Sequence, residues 1–495
     1  MRILKAAAAA MLAMIVTANA ATLRVGMQDD PDALDPARGG TFAGRIVFAS
    51  LCDKLIDLSP DLKFVPQLAT AWTWEPDGKA LTLTLRDSVK FQDGEPFNAD
   101  AVRMNIERYR SAPESNRKGE LRPVTAIEVV DPKTVRLVLS QPYAPLIAVL
   151  SDRAGMMGSP KALAALGKDF ATHPVCAGPF SFVERVPQDR MVLERFPGYW
   201  NAGAIHLDRV VFRPIPDSTV RLVNLQTDQL DMLEELAPSD AAKVQKDAKL
   251  KLQGVTSLGY EAIDINVAHG PAADNPLAKD PSVRAALDRA ALNKVVMDGR
   301  FVPDNQSELL TSPYFNKDLP VPPRDVAKAK ALLKQAGYDH VSFTLRTLNT
   351  PSDTQIGEVL QSMAAEAGID IKLVAGETNA NIQAMNNGDY QSSLVIWSGR
   401  SDPEFNIVQF LACDGFQNWG KYCNPKFDAA LNTGRTATDS AQRVAAYHEA
   451  AAIYLTDRPL IFLFHMTWLY AHSGKLSGFT PVPDGLIRPQ GLVLP

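Results

Sequence analysis

A chain of 495 residues is too long for one small core, so its length predicts two or three domains. Its 46% hydrophobic and 22% charged residues are typical of a globular protein and argue against extended disorder. A net charge of -5 argues against a nucleic-acid-binding protein, which would carry a basic excess.

The N-terminus has the order of a secretory signal peptide. Arg2 and Lys5 precede the apolar run 6–16, and small residues at 18–20 supply a cleavage site. We therefore expect residues 1–20 to direct export and to be removed, with no Cys after the cleavage site to accept a lipid. The run is too short to span a bilayer. The alternative is an apolar N-terminal helix of the fold.

The next segment predicts a strand, an irregular loop and a helix. Apolar and polar residues alternate over 22–27, glycines follow at 39–40, and helical spacing covers 46–56.

The stretch from Pro66 to Val102 carries the most specific pattern in the chain. A turn signal at 76–78, alternating leucines at 81–85 and a helix start at Asn98 predict a hairpin followed by a helix. Its wording, PQLATAW and then DGKALTLTLRDSVKFQDGEPFNADAV, resembles the signature of solute-binding protein family 5. Members of that family serve ABC importers and bind peptides, nickel chelates and similar solutes.

The resemblance spans almost the whole mature chain and implies an α/β fold. We expect a two-lobed periplasmic binding protein of type II, cluster C, with an extra small subdomain in the first lobe. The expected parts are a signal peptide, lobe I with its subdomain, lobe II, and a return to lobe I, at residues 1–20, 21–262 (subdomain about 60–175), 263–468 and 469–495.

Other patterns fit this division. Alternating runs at 126–130 and 135–139 predict more strands of the small subdomain. In lobe II, strands and helices alternate at the spacing of α/β crossovers, with helices at 280–296, 326–336 and 354–367 and strands at 341–346 and 368–373. The crossings between lobes are expected at 260–266 and, as two apolar runs, at 460–464 and 468–471.

Four cysteines enter an oxidising compartment if the chain is exported. An even number without C-x-x-C spacing predicts disulfides rather than a zinc site. Cys413 and Cys423 enclose a short polar loop and are expected to pair, which leaves Cys52 for Cys176. The alternative is four buried free thiols.

Two segments are expected to line the ligand cleft. Family members place the loop with Gly40, Thr41 and Phe42 on its wall, although an ordinary strand-to-helix loop is the alternative. The buried strand 393–397 ends in Trp397 and then turns polar at Ser398, which supplies both an apolar wall and polar groups. A core strand with a capped loop is the alternative. We expect residues 40–42 and 396–402 to face each other.

Arg400 is the most informative departure from the family pattern. Peptide-binding members carry W-x-x-D here, and the acid meets the α-amino group of the peptide. A guanidinium cannot anchor an ammonium, but its planar fork suits a carboxylate or phosphate. Arg400 is therefore predicted to hold an acidic group of the solute, while Asp402 either takes an amine or orients Arg400.

Two more aromatic residues are candidates for the cleft. Tyr260 lies near the first crossing, and Trp419 lies inside the expected disulfide loop. A structural role for each is at least as well supported by its position.

The sequence favours a carrier over an enzyme. It has no G-x-S-x-G motif, and His448-Glu449 lacks the second His of a zinc protease. We expect a monomeric periplasmic substrate-binding component of an ABC importer that passes a peptide or peptide-like solute, acidic or modified as in glutathione or opines, to an inner-membrane permease. No cofactor, metal or nucleic acid is expected. The alternatives are a nickel-chelate or haem carrier using His465 and Met466, and a secreted hydrolase.

Overall fold

The computed structural model describes residues 20–290 and 301–495. The expected signal peptide lies outside these residues except for Ala20, as does the end of the helix expected at 280–296. The described strands are β1 Thr22–Met27, β2 Ile56–Leu58, β3 Phe64–Pro66, β4 Ala69–Trp74, β5 Ala80–Leu85, β6 Val124–Asp131, β7 Thr134–Leu139, β8 Phe180–Val186, β9 Arg190–Arg195, β10 Arg209–Pro214, β11 Met232–Leu233, β12 Leu250–Ile265, β13 Val302–Pro303, β14 Val341–Leu348, β15 Ile369–Gly376, β16 Ser392–Trp397 and β17 Leu460–Ser473. The described α-helices are α1 Phe42–Leu51, α2 Ala99–Ser111, α3 Leu146–Leu150, α4 Pro160–Leu166, α5 Ser218–Gln226, α6 Ala241–Lys246, α7 Pro276–Lys279, α8 Pro281–Ala290, α9 Val326–Gln335, α10 Pro351–Ala365, α11 Thr378–Asn387, α12 Glu404–Leu411, α13 Pro425–Thr436 and α14 Ser440–Asp457.

A small antiparallel sheet forms from the signature block and the two runs after it. Its strand order is β4-β5-β7-β6. Leu81, Leu83 and Leu85 of β5 point into a core that α2 covers, while the threonines between them lie on the other face. The alternation read from the sequence therefore gives this layer its buried side. Asn98 caps α2 by accepting a hydrogen bond from the backbone N–H of Ala101 at 3.0 Å.

A second, large sheet runs through both halves of the molecule. Its order is β15-β14-β16-β12-β17-β11-β1-β10-β9-β8, and β13 pairs with β17. The long strands β12 and β17 pair antiparallel, first over 250–256 with 467–473 and then over 260–264 with 460–465. These two strands carry the chain between the two halves, and the proposed lobe boundaries at 262 and 468 fall within them.

The return through β17 differs from the prediction of two separate apolar runs. The structure has one strand of 14 residues, because His465, Met466 and Thr467 continue the extended backbone without a turn residue. Helices α11 to α14 were not predicted at all. All four contribute buried residues to the hydrophobic core that contains the side chain of Tyr260.

The four cysteines form two disulfides in the pairs that the sequence predicted. Cys52, directly after α1, is bonded to Cys176, which precedes β8. Cys413 is bonded to Cys423 across the loop between α12 and α13. The alternative of free thiols is not seen at any of the four positions. In the described part of the chain, the helices are all too short or too polar to cross a membrane.

Candidate functional site

The loop before α1 is held by one carboxylate. Asp32 accepts the backbone N–H of Gly40 at 2.8 Å through Oδ2 and the hydroxyl of Thr41 at 2.8 Å through Oδ1. Thr41 in turn caps α1, since its Oγ1 accepts the N–H of Gly44 at 3.2 Å. This cap starts the helix at Phe42 rather than at the predicted residue 46. The ring of Phe42 then stacks on Trp468 at 4.7 Å.

Hydrogen bonds to Asn406 hold the polar turn after β16. The Oδ1 atom of Asn406 accepts the indole N–H of Trp397 at 3.1 Å and the backbone N–H of Arg400 at 2.8 Å. The turn also lies against the backbone of β12. Gly399 has φ +75°, and a Cβ there would come within 2.2 Å of the carbonyl carbon of Leu258. Glycine is therefore required at this position by both conformation and space.

The side chain of Arg400 reaches from lobe II to lobe I. Its guanidinium lies 4.6 Å from the ring of Trp397, and Nη1 donates to the Gly399 carbonyl at 2.6 Å and to Ser398 Oγ at 3.2 Å. Its Nε atom lies 3.0 Å from Oδ2 of Asp152, which belongs to the turn after α3. Arg400 thus spans the two halves in this structure.

Asp152 is shared by several arginines. Arg45 of α1 donates through Nε to its Oδ1 at 3.2 Å, and Arg153 Nε lies 3.8 Å from the same atom. With Arg400 and Arg117, which follows α2, these residues form what we call the arginine cluster: Arg45, Arg117, Arg153 and Arg400. Arg117 pairs with Glu120 at 2.6 Å. Four guanidinium groups therefore meet two carboxylates.

The pKa values in the cluster record this imbalance. Burial alone would raise the pKa of Asp152, but Arg45, Arg400 and Arg153 hold it well below its ordinary value. Burial, with the charge of Arg117 next, lowers the pKa of Arg153 well below the usual range of arginine. Burial and the neighbouring Arg45 lower the pKa of Arg400 to about 10. The cluster therefore holds more positive charge than its own acids offset.

Several donors of the cluster have no partner. Arg45, Arg117 and Arg153 are only 4%, 5% and 3% exposed. Among the described residues, Nη1 of Arg45 and the Nε atoms of Arg117 and Arg153 find no hydrogen-bond acceptor. A buried donor without a partner is costly, and buried polar groups in native proteins are almost always paired. These atoms form a site that an anion would complete.

The contacts of Asp402 differ from those that the sequence predicted. Both of its oxygens accept from Nη2 of Arg443, at 2.7 and 2.8 Å, and the residue is 4% exposed. It does not touch the guanidinium of Arg400 and offers no free oxygen to an amine in this structure. The expectation that Asp402 takes an amine or orients Arg400 is therefore replaced by a structural ion pair inside lobe II.

The two further aromatic candidates also pack against protein. Tyr260 is 1% exposed, and its hydroxyl donates to the carbonyl of Asn406 at 2.7 Å. It supports the turn after β16 from the core side. Trp419 is half-buried on Phe410, and its indole N–H donates to Asn386 Oδ1 at 2.9 Å. Contact of either residue with a solute stays a prediction.

The histidine named for a metal or haem alternative is enclosed. His465 is 0% exposed, its Nδ1 lies 2.8 Å from the Gly259 carbonyl, and burial lowers its pKa to about 4. Within residues 20–290 and 301–495, no three His, Cys, Asp or Glu side chains are arranged to hold a metal ion.

Comparisons with known proteins place these features in a family. The family model described as bacterial extracellular solute-binding proteins, family 5 Middle, matches residues 63–418. The glutathione-binding protein GsiB of Salmonella typhi is 32% identical over 469 residues, which are 91% of this chain and 90% of that protein.

Solved structures agree with this match. The binding protein AgaA of A. tumefaciens R10 in complex with agropinic acid superposes with a TM-score of 0.82 at 25% identity, covering 96% of this chain and 99% of AgaA. A dipeptide-binding protein of Pseudoalteromonas sp. SM9913 in complex with Met-Leu gives 0.83 at 24% identity, covering 94% and 98%. By sequence and by fold, this chain belongs to the family 5 bacterial extracellular solute-binding proteins.

Proposed function

We propose that this protein is the periplasmic substrate-binding component of an ABC importer and that it carries an acidic, peptide-like solute. Glutathione and opine acids are the solute classes we favour, because GsiB is named as glutathione-binding and AgaA was solved with agropinic acid. The protein binds the solute between its lobes, leaves it chemically unchanged and presents it to an inner-membrane permease. Export by a cleaved signal peptide and a monomeric state belong to the same proposal.

One observation carries the acidic character of the solute. Asp152 alone faces Arg45, Arg153 and Arg400, while buried donors of Arg45 and Arg153 have no acceptor among the described residues. A carboxylate of the solute supplies the missing acceptors, and the planar fork of arginine binds it with two parallel hydrogen bonds. A neutral or cationic solute would leave the excess charge buried and unpaired, which is unfavourable.

The position of the cluster also links binding to closure. Arg400 comes from lobe II, whereas Arg45, Arg117 and Arg153 come from lobe I. A solute stabilises a closed state only as far as it binds that state better than the open one. A carboxylate held by arginines of both lobes makes contacts that exist only when the lobes meet, so its binding favours closure.

A ligand panel tests the proposal. Purified protein is titrated in a calorimeter with glutathione, an opine acid, the dipeptide Met-Leu, nickel-histidine and haemin, and each mixture is analysed for product. We expect binding of glutathione or the opine acid without turnover, and weaker or no binding of Met-Leu. Selective binding of nickel-histidine or haemin would support the alternative carrier, and product formation would identify a hydrolase.

A further inference from the structure

A second group of charges, of the opposite sign, lies at another part of the cleft. It comprises the five acids Asp29, Glu234, Glu235, Glu261 and Asp353, which we call the acid cluster. They come from both lobes: three follow β1 and β11 of lobe I, one lies on β12, and one lies in the first turn of α10.

The strand register explains why the lobe I acids meet. Strands β1 and β11 are parallel neighbours, with Val25 opposite Met232 and Gly26 opposite Leu233. Asp29 and Glu234 therefore lie at the carboxyl ends of adjacent parallel strands, the edge at which ligands bind in open α/β sheets. The backbone N–H of Gln28 donates to Glu234 Oε1 at 2.7 Å and ties the two strand ends together.

Asp353 of lobe II and Glu261 of β12 reach the same region. Asp353 lies in the helical turn that follows the carboxyl end of β14. Burial raises the pKa of Glu261, and the charge of Asp353 adds to this effect. Burial and then the charge of Glu234 raise the pKa of Glu235, to which Asp353 makes a smaller contribution. Glu261 pairs across the sheet with Ile396, so the two side chains share a face. Ile396 is 47% exposed although its strand is central in the sheet, which shows that this face borders open space.

Two of these buried carboxylates have an oxygen without a partner. Glu234 and Glu261 are 3% and 2% exposed, and neither Oε2 of Glu234 nor Oε1 of Glu261 has a hydrogen-bond partner in the described part of the chain. Arg221 is the nearby cation, but its terminal nitrogens donate to the backbone carbonyls of Ile215, Pro216 and Glu235. The Nε atom of Arg221 is itself unpaired, so no donor in the described part of the chain reaches these two carboxylate oxygens.

The stacked pair Phe42 and Trp468 connects the two clusters. On one side, the guanidinium of Arg45 lies 5.8 Å from the ring centre of Phe42. On the other, Trp468 is followed by Leu469, whose carbonyl accepts the N–H of Leu236, the residue after Glu235, at 2.9 Å. The stacked rings therefore lie between the arginine cluster and the acid cluster.

We infer that the acid cluster binds the primary ammonium group of the solute, so that the cleft selects a zwitterion with its carboxylate on the arginine cluster and its amine on the acid cluster. This inference rests on the proposed function and makes it narrower. An ammonium has three N–H donors and no acceptor, which matches the unpaired carboxylate oxygens of Glu234 and Glu261. Burying the acids without such a cation costs free energy.

Blocked forms of glutathione test the inference. Calorimetry at pH 7.5 compares glutathione, its N-acetyl derivative, which lacks the ammonium, and its ethyl ester, which lacks one carboxylate. We expect acetylation to weaken binding to the native protein about tenfold or more, as loss of a charge-assisted hydrogen bond does. In Glu261→Gln, the affinity for glutathione should fall about tenfold while the affinity for N-acetylglutathione stays unchanged. The two affinities should then be nearly equal.

The controls separate this inference from the proposed function. Glu449→Gln, at an exposed position of α14, should leave all three affinities unchanged. Glu234→Gln repeats the test if Glu261→Gln does not fold, as judged by its melting temperature. A large loss on esterification with less than a twofold loss on acetylation would overturn the amine site and leave the anion site standing. Equal weakening of both probes by Glu261→Gln would also overturn it. If the native protein binds none of the three forms and no opine acid, the proposed function fails together with the inference.

Discussion

Asp152 and Asp402 are both buried carboxylates that face arginine, but their surroundings differ in how charge is balanced. Asp402 has one arginine partner, Arg443, whose remaining nitrogens donate to Tyr314 Oη at 2.7 Å and to the Gly434 carbonyl at 3.0 Å. Asp152 has three arginine neighbours, and donors of two of them have no acceptor among the described residues.

The difference shows which buried charges point to a ligand. In a buried ion pair whose donors all have acceptors, no ligand is needed to satisfy the hydrogen bonds. In one with unpaired donors, burial costs free energy until a ligand supplies further acceptors. One residue of each pair lies in the same turn: Arg400 pairs with Asp152, and Asp402, two positions later, pairs with Arg443. Position in the sequence therefore does not distinguish the two pairs. The number of unpaired arginine donors around each carboxylate distinguishes them.

The largest expected effect concerns Asp402 and Arg443, which we call the balanced pair. In Arg443→Met, Asp402 remains buried without its counter-ion, and we expect the free energy of unfolding to fall by about 3 to 5 kcal/mol. Denaturant unfolding followed by circular dichroism measures it. Arg103→Met removes an exposed arginine paired with Asp100 and should cost at most about 1 kcal/mol. Equal effects of the two substitutions would show that the buried pair contributes no more than an exposed one.

The second prediction concerns the unbalanced cluster. We expect Arg400→Ala to weaken glutathione binding by about tenfold to a hundredfold, since a charge-assisted contact to the solute is lost. Its free energy of unfolding should change by only about 1 kcal/mol, because removing one cation also relieves the repulsion from neighbouring arginines that, together with the larger effect of burial, lowers the pKa of Arg153. Titration calorimetry and denaturant unfolding measure the two quantities.

The outcome that contradicts this prediction is clear in either experiment. Unchanged affinity for a solute that binds the native protein would dismiss the role of Arg400. A loss of stability as large as that of Arg443→Met would make Arg400 a structural residue like its neighbour Asp402. Arg103→Ala is the matched control, at an exposed position of α2 remote from Asp152.

Much of the fold was predictable because it depends on local pattern. Strand β1 matches its predicted range, and the alternation in 81–85 gives the buried face of β5. The helix start at Asn98 is a capping effect confined to four residues. The long return strand β17 was split in the prediction, because its continuity depends on pairing with β12 along both lobes, which no local pattern records.

The candidate site was predictable only in part. Arg400 could be singled out because it stands where peptide-binding members of the family carry an acid. Its partner Asp152, with Arg153 next to it in the chain, and the neighbours Arg45 and Arg117 come from three segments far apart in sequence, and only the fold brings them together. The same reason explains Asp402: its partner Arg443 lies 41 positions away on another helix, so the sequence left its oxygens free for a solute.

The smallest expected effect concerns Glu308, a buried carboxyl group that stays neutral by keeping its proton. Glu308 lies beside the balanced pair, and Asn406 donates to its Oε1 at 2.8 Å. Burial raises the pKa of Glu308 to about 8, and the charge of Asp402 adds to this while Arg443 and Asn406 oppose it. The unfolded chain has an ordinary pKa near ~4.3. The folded protein therefore binds the extra proton between these values, so this contribution to stability is complete below the unfolded pKa and is lost as the pH rises through about 8.

Glu308→Gln mimics the protonated side chain and removes that dependence. We expect the fall in unfolding free energy between about pH 6 and about pH 8 to be smaller in the variant by about 1 to 2 kcal/mol. Denaturant unfolding at both pH values measures it, and the exposed Glu449→Gln should keep the native slope. Identical slopes in all three proteins would mean that Glu308 is ionised in the folded state. The balanced pair would then have a third charge beside it, and Arg443 would serve two carboxylates rather than one.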